Sequence, residues 1–154
     1  MTGPDPDVPD EIVRSILIRA DLPTVWGLVS EPGWFINDGA YVEHRIETLP
    51  DGLSRVTDPV HGTFDVRTDL LDPPHRAVFR WLGGEIGPLG ENPANTVEFT
   101  LEAQDDGVLL TVRERGFAGI TSDAAARRRR YEDNLTGWEL ELGVARTVAE
   151  QRAP

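Results

Sequence analysis

The sequence predicts an α+β fold in which a curved antiparallel sheet wraps round one long C-terminal helix, with short helices after the first strand. Three observations predict it. Between residues 40 and 117, short strand-like segments alternate with Gly, Pro and Asp turns, the pattern of an antiparallel meander. Near the C-terminus, Tyr131, Leu135, Trp138, Leu142, Ala145 and Ala149 recur at steps of three and four, which marks an amphipathic helix. A long helix with one apolar stripe must bury it, and the sheet is the only large partner on offer. At 154 residues and 39% hydrophobic content, the chain suits one domain with a real core.

The elements follow in order. Residues 1–10, rich in Pro and Asp and without periodicity, read as a floppy acidic tail. That leaves residues 11–152 as a single domain. "EIVRSILIRA" reads as a strand. Asp21 caps a helix over "LPTVWGLVSE", with Pro23 in its first turn. "PGWFINDG" then breaks that helix and puts Trp34 and Phe35 in a turn or short helical piece. "AYVEHRIE", "LSRVTD", "TFDVRTDLL", "RAVFRWL", "NTVEFTLEA" and "VLLTVRERGF" read as strands. The turns between them are "LPDG", "PVHG", "DPPH", a long Gly/Pro-rich loop and "QDDG". Ser122 or Asp123 caps the final helix.

Charge and composition exclude several functions. The formal net charge is -12 and the pI about 4.6, which opposes nucleic acid as a partner, since phosphate binding needs a positive stripe. All fifteen basic residues are arginine, a bias of GC-rich bacterial genomes rather than of function. Without cysteine there are no disulfides, thiolate metal sites or cysteine nucleophiles. His44, His61 and His75 are scattered and form no metal-binding pattern, and no phosphate-binding glycine motif occurs, so neither metal nor cofactor is expected. The N-terminus lacks a signal peptide's basic and apolar regions, and no apolar run approaches the ~20 residues of a membrane span. A cytoplasmic protein without a membrane span is the expectation.

Several segments together resemble a known family. They are "IRADLPTVW" ending at Trp26, "PGWF" at residues 32–35, "DPPHRAVFRW" with Trp81, "NTVEFTLEAQDDGVLLTVRERGF", and "GWELELG" with Gly137 and Trp138. In this order, from about Ile12 to Ala149, the chain resembles the SRPBCC (START-like) superfamily. Within it, the chain is similar to bacterial homologues of the heat-shock-protein-90 ATPase activator C-terminal domain. The resemblance implies a helix-grip fold with a cavity between sheet and helix. It also implies a small hydrophobic molecule as partner: family members bind lipids, polyketides or hormones, and some are cyclases or aromatases. Where the family usually shows a histidine or similar residue ahead of Gly116–Phe117, this chain has Glu114.

Strand alternation sorts the side chains. Val97, Phe99 and Leu101 share one face; so do Val108, Leu110, Val112 and Glu114; so do Ala77, Phe79 and Trp81; so do Phe64 and Val66. These sets belong on the concave face. Arg80, Glu98 and Arg113 fall on the convex face as cross-strand neighbours, in exposed pairs worth roughly 0–1 kcal/mol each. Glu114 breaks the apolar pattern. A lone buried carboxylate is costly, so it either reaches solvent at the rim, joins a structural ion pair, or touches ligand. The helix stripe extended backwards from Tyr131 passes through Arg127 and Arg128, which makes one of them the expected partner. Consecutive helical residues turn by ~100°, so "RRRR" at 127–130 spreads round the helix rather than forming one patch. Pairs Arg128–Glu132 and Arg129–Asp133 are expected.

The candidate ligand-contacting residues follow from these faces and from the implied cavity. The sheet offers Phe64, Trp81, Phe99, Leu110, Val112 and Glu114. The turn offers Trp34 and Phe35, and the helix Arg128, Leu135 and Trp138. Trp34, Trp81 and Trp138 either border the cavity or anchor the core. No catalytic residue is nominated. The leading expectation is a protein that binds an apolar or amphipathic small molecule. The alternatives are a cyclase- or aromatase-like enzyme using Glu114, Tyr41 or a histidine, and a chaperone partner of the ATPase-activator kind. Ligand identity and oligomeric state are not written in the sequence.

Overall fold

A computed structural model describes residues 8–37, 39–85, 89, 94–119 and 123–153. Among the described residues, seven antiparallel strands form one sheet in the order β1-β7-β6-β5-β4-β3-β2. They are β1 (Glu11–Ile18), β2 (Arg45–Thr48), β3 (Leu53–Asp58), β4 (Gly62–Asp72), β5 (Arg76–Trp81), β6 (Asn95–Gln104) and β7 (Gly107–Arg115). Helix α1 (Leu22–Val29) follows β1, and α2 (Ala124–Arg152) closes the chain across the sheet. This is the predicted helix-grip architecture.

Local chemistry sets the boundaries. Asp21 accepts the Thr24 N–H at 2.9 Å and caps α1, with Pro23 in the first turn. The α1 helix is the only one of its length between β1 and β2 among the described residues; Trp34 and Phe35 lie in a turn. Asp123 caps α2 by accepting the Ala125 N–H, while Ser122 lies outside the described residues. The β6–β7 turn needs glycine: Gly107 has φ of 150°, and a Cβ there would stand 2.1 Å from Ile18 O. The expected strand over residues 40–47 is shorter, starting at Arg45, because His44 is drawn inward to the Ile36 carbonyl and Asp58.

Residues 8–10 of the segment expected as a tail are among the described residues. Val8 is buried, and the Asp10 carbonyl accepts the Gly116 N–H at 3.1 Å while its carboxylate accepts the Ala118 N–H at 3.0 Å. Residues 8–10 are therefore docked beside the end of β7, and residues 1–7 lie outside the described set.

The concave face carries the core, with Phe79, Val97, Phe99, Leu110 and Val112 all at 0% exposure. The α2 stripe meets them: Trp138, Leu142, Ala145 and Ala149 are buried, and Tyr131 and Leu135 half-buried. The convex face is ionic, but not with the expected partners. Arg113 stands opposite Glu98, yet Glu98 pairs with Arg76 and, at 3.3 Å, with Arg115. Arg80 stands opposite Thr96 and pairs with Asp69 at 2.7 Å. Long arginine side chains reach diagonal neighbours, which register alone does not reveal.

Candidate functional site

Three strands and α2 meet at one end of the sheet, around Glu114. The carboxylate has 0% exposure, and its partners among the described residues are neutral N–H donors. Trp81 Nε1 donates to Oε2 at 2.8 Å and Trp138 Nε1 to Oε1 at 2.8 Å. Asn95 Nδ2 donates at 3.1 Å, and Asn134 Nδ2 at 3.1 Å. The expected arginine partner is thus corrected. Arg127 is buried and Arg128 half-buried nearer the start of α2, whereas the residues level with Glu114 are Asn134 and Trp138. Those lie about two to three helical turns further on. Burial raises the Glu114 pKa above its ordinary value of 4.5, and the bonds from Trp138, Asn95, Trp81 and Asn134 oppose that without cancelling it.

Backbone geometry holds the shell in place. Register pairs Trp81 with Asn95 and Val97 with Glu114, so the donors arrive from β5 and β6 onto β7. Gly116 adopts φ of 115°, and a Cβ there would lie 2.7 Å from Asn95 Oδ1. Only glycine lets the chain pass Asn95 this closely. Asn134 also donates to the Gly83 carbonyl at 3.1 Å, and Arg130 pairs with Glu85. These two contacts tie α2 to the segment leaving β5. The expected Arg128–Glu132 and Arg129–Asp133 pairs are not among the ion pairs of the described residues.

Beside this network lies a cavity of about 100 Å³, lined by Phe35, Asn37, Trp81, Asn134, Gly137, Trp138 and Glu141. An outer cavity of about 250 Å³ is lined by Phe35, Ile36, Asn37, His61, Phe64, Trp81 and Gly84. Phe35, Asn37 and Trp81 line both, so the two share a wall. Phe35 is wedged between sheet and helix, its ring 4.9 Å from Trp81 and 5.3 Å from Trp138. Asn37 fixes the turn by donating to the Trp34 carbonyl at 2.6 Å and to Glu141 at 2.8 Å.

The sequence-predicted residues divide accordingly. Phe35, Phe64, Trp81 and Trp138 line one or both cavities, and Glu114 sits directly behind Trp81 and Trp138. Trp34, Phe99, Leu110, Val112, Leu135 and Arg128 line neither. The reason is steric. The Trp34–Phe35 turn inserts between sheet and helix, with Trp34 5.3 Å and Phe35 5.8 Å from the Phe99 ring, and fills most of the space the grip would enclose. Asn37, Asn95, Asn134, Gly137 and Glu141 were missed. For two of them a signal existed: Asn134 and Glu141 stand at i−4 and i+3 from the predicted Trp138, on one helix face. Tyr41, a candidate acid–base group, lies elsewhere; it borders a separate groove and carries Arg152 over its ring. His44 lines neither cavity; it is buried against Asp58 and bonds the Ile36 carbonyl. Among the described residues no helix is long and apolar enough to cross a membrane, and no three potential metal ligands converge.

No family model matches the chain, and no curated protein matches it. Solved structures do. Protein MLL2253 from Mesorhizobium loti is similar with a TM-score of 0.68 at 14% identity, over 94% of this chain and 99% of that one. DynU16, from the dynemicin biosynthetic locus, gives a TM-score of 0.68 at 20% identity, over 95% of this chain and 49% of that one. StfQ, a di-domain ARO/CYC from the steffimycin biosynthetic pathway, gives 0.61 at 15% identity, over 95% of this chain and 52% of that one. The chain spans about half the length of the last two. At these identities the likeness is one of fold: a curved antiparallel sheet closed round a long C-terminal helix.

Proposed function

We propose that the protein binds a small molecule at the seam between the sheet, the 34–37 turn and α2, and that the twin cavity is its site. The carrying observation is the shared Phe35–Trp81 wall, which separates an inner space of about 100 Å³ from an outer one of about 250 Å³. Ligand sites typically occupy ~300–1,000 Å³, so neither space alone holds a drug-sized molecule. Rotation of the Phe35 ring, which sits on a turn rather than on a strand, would join them. The lining is mostly aromatic with a few polar groups, the usual composition of such sites. Gly137 adds support. It lies inside α2, where glycine costs about 1 kcal/mol relative to alanine, yet a Cβ there would meet nothing within 4 Å. Packing therefore does not require glycine, and its absent side chain leaves the cavity open.

The family resemblance and the biosynthetic settings of DynU16 and StfQ make aromatic polyketides the first class to try. The test is thermal unfolding of the whole chain with fatty acids, sterols, flavonoids and aromatic polyketides, run alongside Gly137→Leu, which fills the inner cavity. A ligand at a hundredfold excess over its Kd stabilises by about 2.7 kcal/mol, a shift of several degrees. The expected result is a shift in wild type that Gly137→Leu abolishes. A shift equal in both proteins, or none with any class, would overturn the reading.

A further inference from the structure

We infer that the groove beside the C-terminal half of α2 is a second ligand site, which takes a small monocarboxylic acid with an apolar chain. The groove encloses about 750 Å³ between α2 and residues 39–41, and it shares no lining residue with either part of the twin cavity. Ligand sites typically occupy ~300–1,000 Å³, so this space by itself accommodates a whole small molecule. Its floor is apolar. Leu140, Gly143, Val144 and Val148 succeed one another at steps of three and four, which keeps them on one side of the helix. Among the described residues, Leu140 is the one large apolar side chain of α2 left open to water, at 53% exposure. Gly143 keeps the floor clear. It lies inside α2, where only proline is a poorer helix former, yet a Cβ there would meet nothing within 4 Å. Packing therefore does not require that glycine, and a larger side chain would stand in the groove.

The charged residues of the lining select the head group. Arg146 and Arg152 both border the groove, ~9 Å apart along the helix axis, a span that two arginine side chains bridge. The Arg146 guanidinium makes no ion pair or hydrogen bond with a described residue. Arg152 lies over the Tyr41 ring, 5.5 Å from its centre, which holds its guanidinium at the groove wall. A guanidinium carries five N–H donors, more than one ring contact uses. Three carboxylates stand in the neighbourhood. Glu150 accepts the Arg19 backbone N–H at 2.9 Å, and Glu31 accepts from the Tyr41 hydroxyl at 3.4 Å; neither lines the groove. Glu139 lines the far end, about two helical turns before Arg146, and lies 4.0 Å from Arg14. The Thr147 hydroxyl donates to the Gly143 carbonyl at 3.0 Å, so the arginines are left to hold the head group. A carboxylate at Arg146 and Arg152 then sends its chain along the apolar floor towards Leu140. A second carboxylate at that end would meet Glu139, and an amine at the other end would meet two cations.

The test uses three probes on one skeleton: octanoate, 1-octanol and octylamine. Each is titrated into the ¹⁵N-labelled full chain while the Gly39 and Gly143 amide resonances are followed. The expected result is saturable movement with octanoate, and at least about tenfold weaker binding of the alcohol and the amine. Arg146→Gln and Arg152→Gln should each weaken octanoate about three- to fivefold, the share of one exposed charge pair, and leave the alcohol unchanged. Both arginines are exposed, so neither substitution disturbs the core. Gly143→Leu should block octanoate, whereas Gly137→Leu, which fills the inner cavity, should leave it unchanged. Amine binding as tight as acid binding overturns the inference, as does an octanoate affinity unmoved by both arginine variants. Octanoate that moves the Trp81 and Trp138 indole resonances and is lost in Gly137→Leu occupies the twin cavity instead, which also overturns it. So does the absence of saturable movement at Gly39 and Gly143 with all three probes, whatever the fate of the cavity reading.

Discussion

Replacing Glu114 by leucine tests the central network directly. The carboxylate accepts from two indole N–H groups and two amide N–H groups. Of the donor residues, Trp81, Asn95 and Trp138 are themselves buried. Leucine strands these three donors away from water, and each orphaned buried donor costs about 1–3 kcal/mol. Relief of the buried charge offsets part of that loss. Removing one member of a buried charged network costs about 3–5 kcal/mol net, and we expect Glu114→Leu within that range. For a domain of this size the midpoint should fall by roughly 10 °C. Urea and thermal unfolding measure both. A loss below about 1 kcal/mol would refute the reasoning, because the donors would then have found other partners. The isosteric Glu114→Gln adds a sign test. The folded pKa of Glu114 lies above 4.5, so the folded chain holds this proton more tightly than the unfolded one. The Glu114 contribution is then fully present below pH 4.5 and is lost as pH rises through the folded pKa. Glutamine does not titrate, so the stability of wild type minus that of Glu114→Gln should decline with rising pH across that window. A difference that climbs with pH would contradict burial as the dominant influence.

Other residues make separate predictions. Gly137→Ala should raise stability by about 1 kcal/mol in urea unfolding, since the new methyl meets open space in a helix interior. It should also retain whatever ligand binding Gly137→Leu loses. Asp21→Ala removes the acceptor of the Thr24 N–H and should cost about 1 kcal/mol in the same assay. Asp58→Ala should cost about 2 kcal/mol in thermal unfolding. Its carboxylate accepts the Val60 and His61 N–H groups at 2.9 and 2.7 Å and contacts buried His44, which in turn bonds the Ile36 carbonyl beside the cavity turn.

The sheet and the long helix were legible because each obeys one period. Alternation along "VLLTVRERGF" put Glu114 on the buried face, and the steps of three and four put Trp138 on the buried stripe. Neither period says how far along the helix a given strand residue lies. That offset comes from the connection between β7 and α2, and it moved the partner of Glu114 from Arg127 or Arg128 to Asn134 and Trp138. At 1.5 Å per residue, six to eleven positions are roughly 9–16 Å along the axis. Register across the long loop before β6 is equally hidden, so the meeting of Trp81 with Asn95 could not be read from spacing. The filling of the grip was hidden for a third reason. "PGWF" reads as a turn, and a turn does not announce which way its two rings point.

The Glu114 network also joins the sheet to the helix. Two tryptophans whose rings are buried bring two indole N–H groups that need acceptors. Separate carbonyls could have served them, leaving the amides of Asn134 and Asn95 to turn donors elsewhere. A single carboxylate instead collects all four, from β5, from the start of β6 and from α2. The cost of burying that charge is met by bonds that tie three strands to the helix where the chain leaves β5. The same bonds take up the Trp81 and Trp138 indole N–H groups and both Asn134 amide protons. Glu114→Gln, which sets a donor against these four N–H groups, should weaken the network.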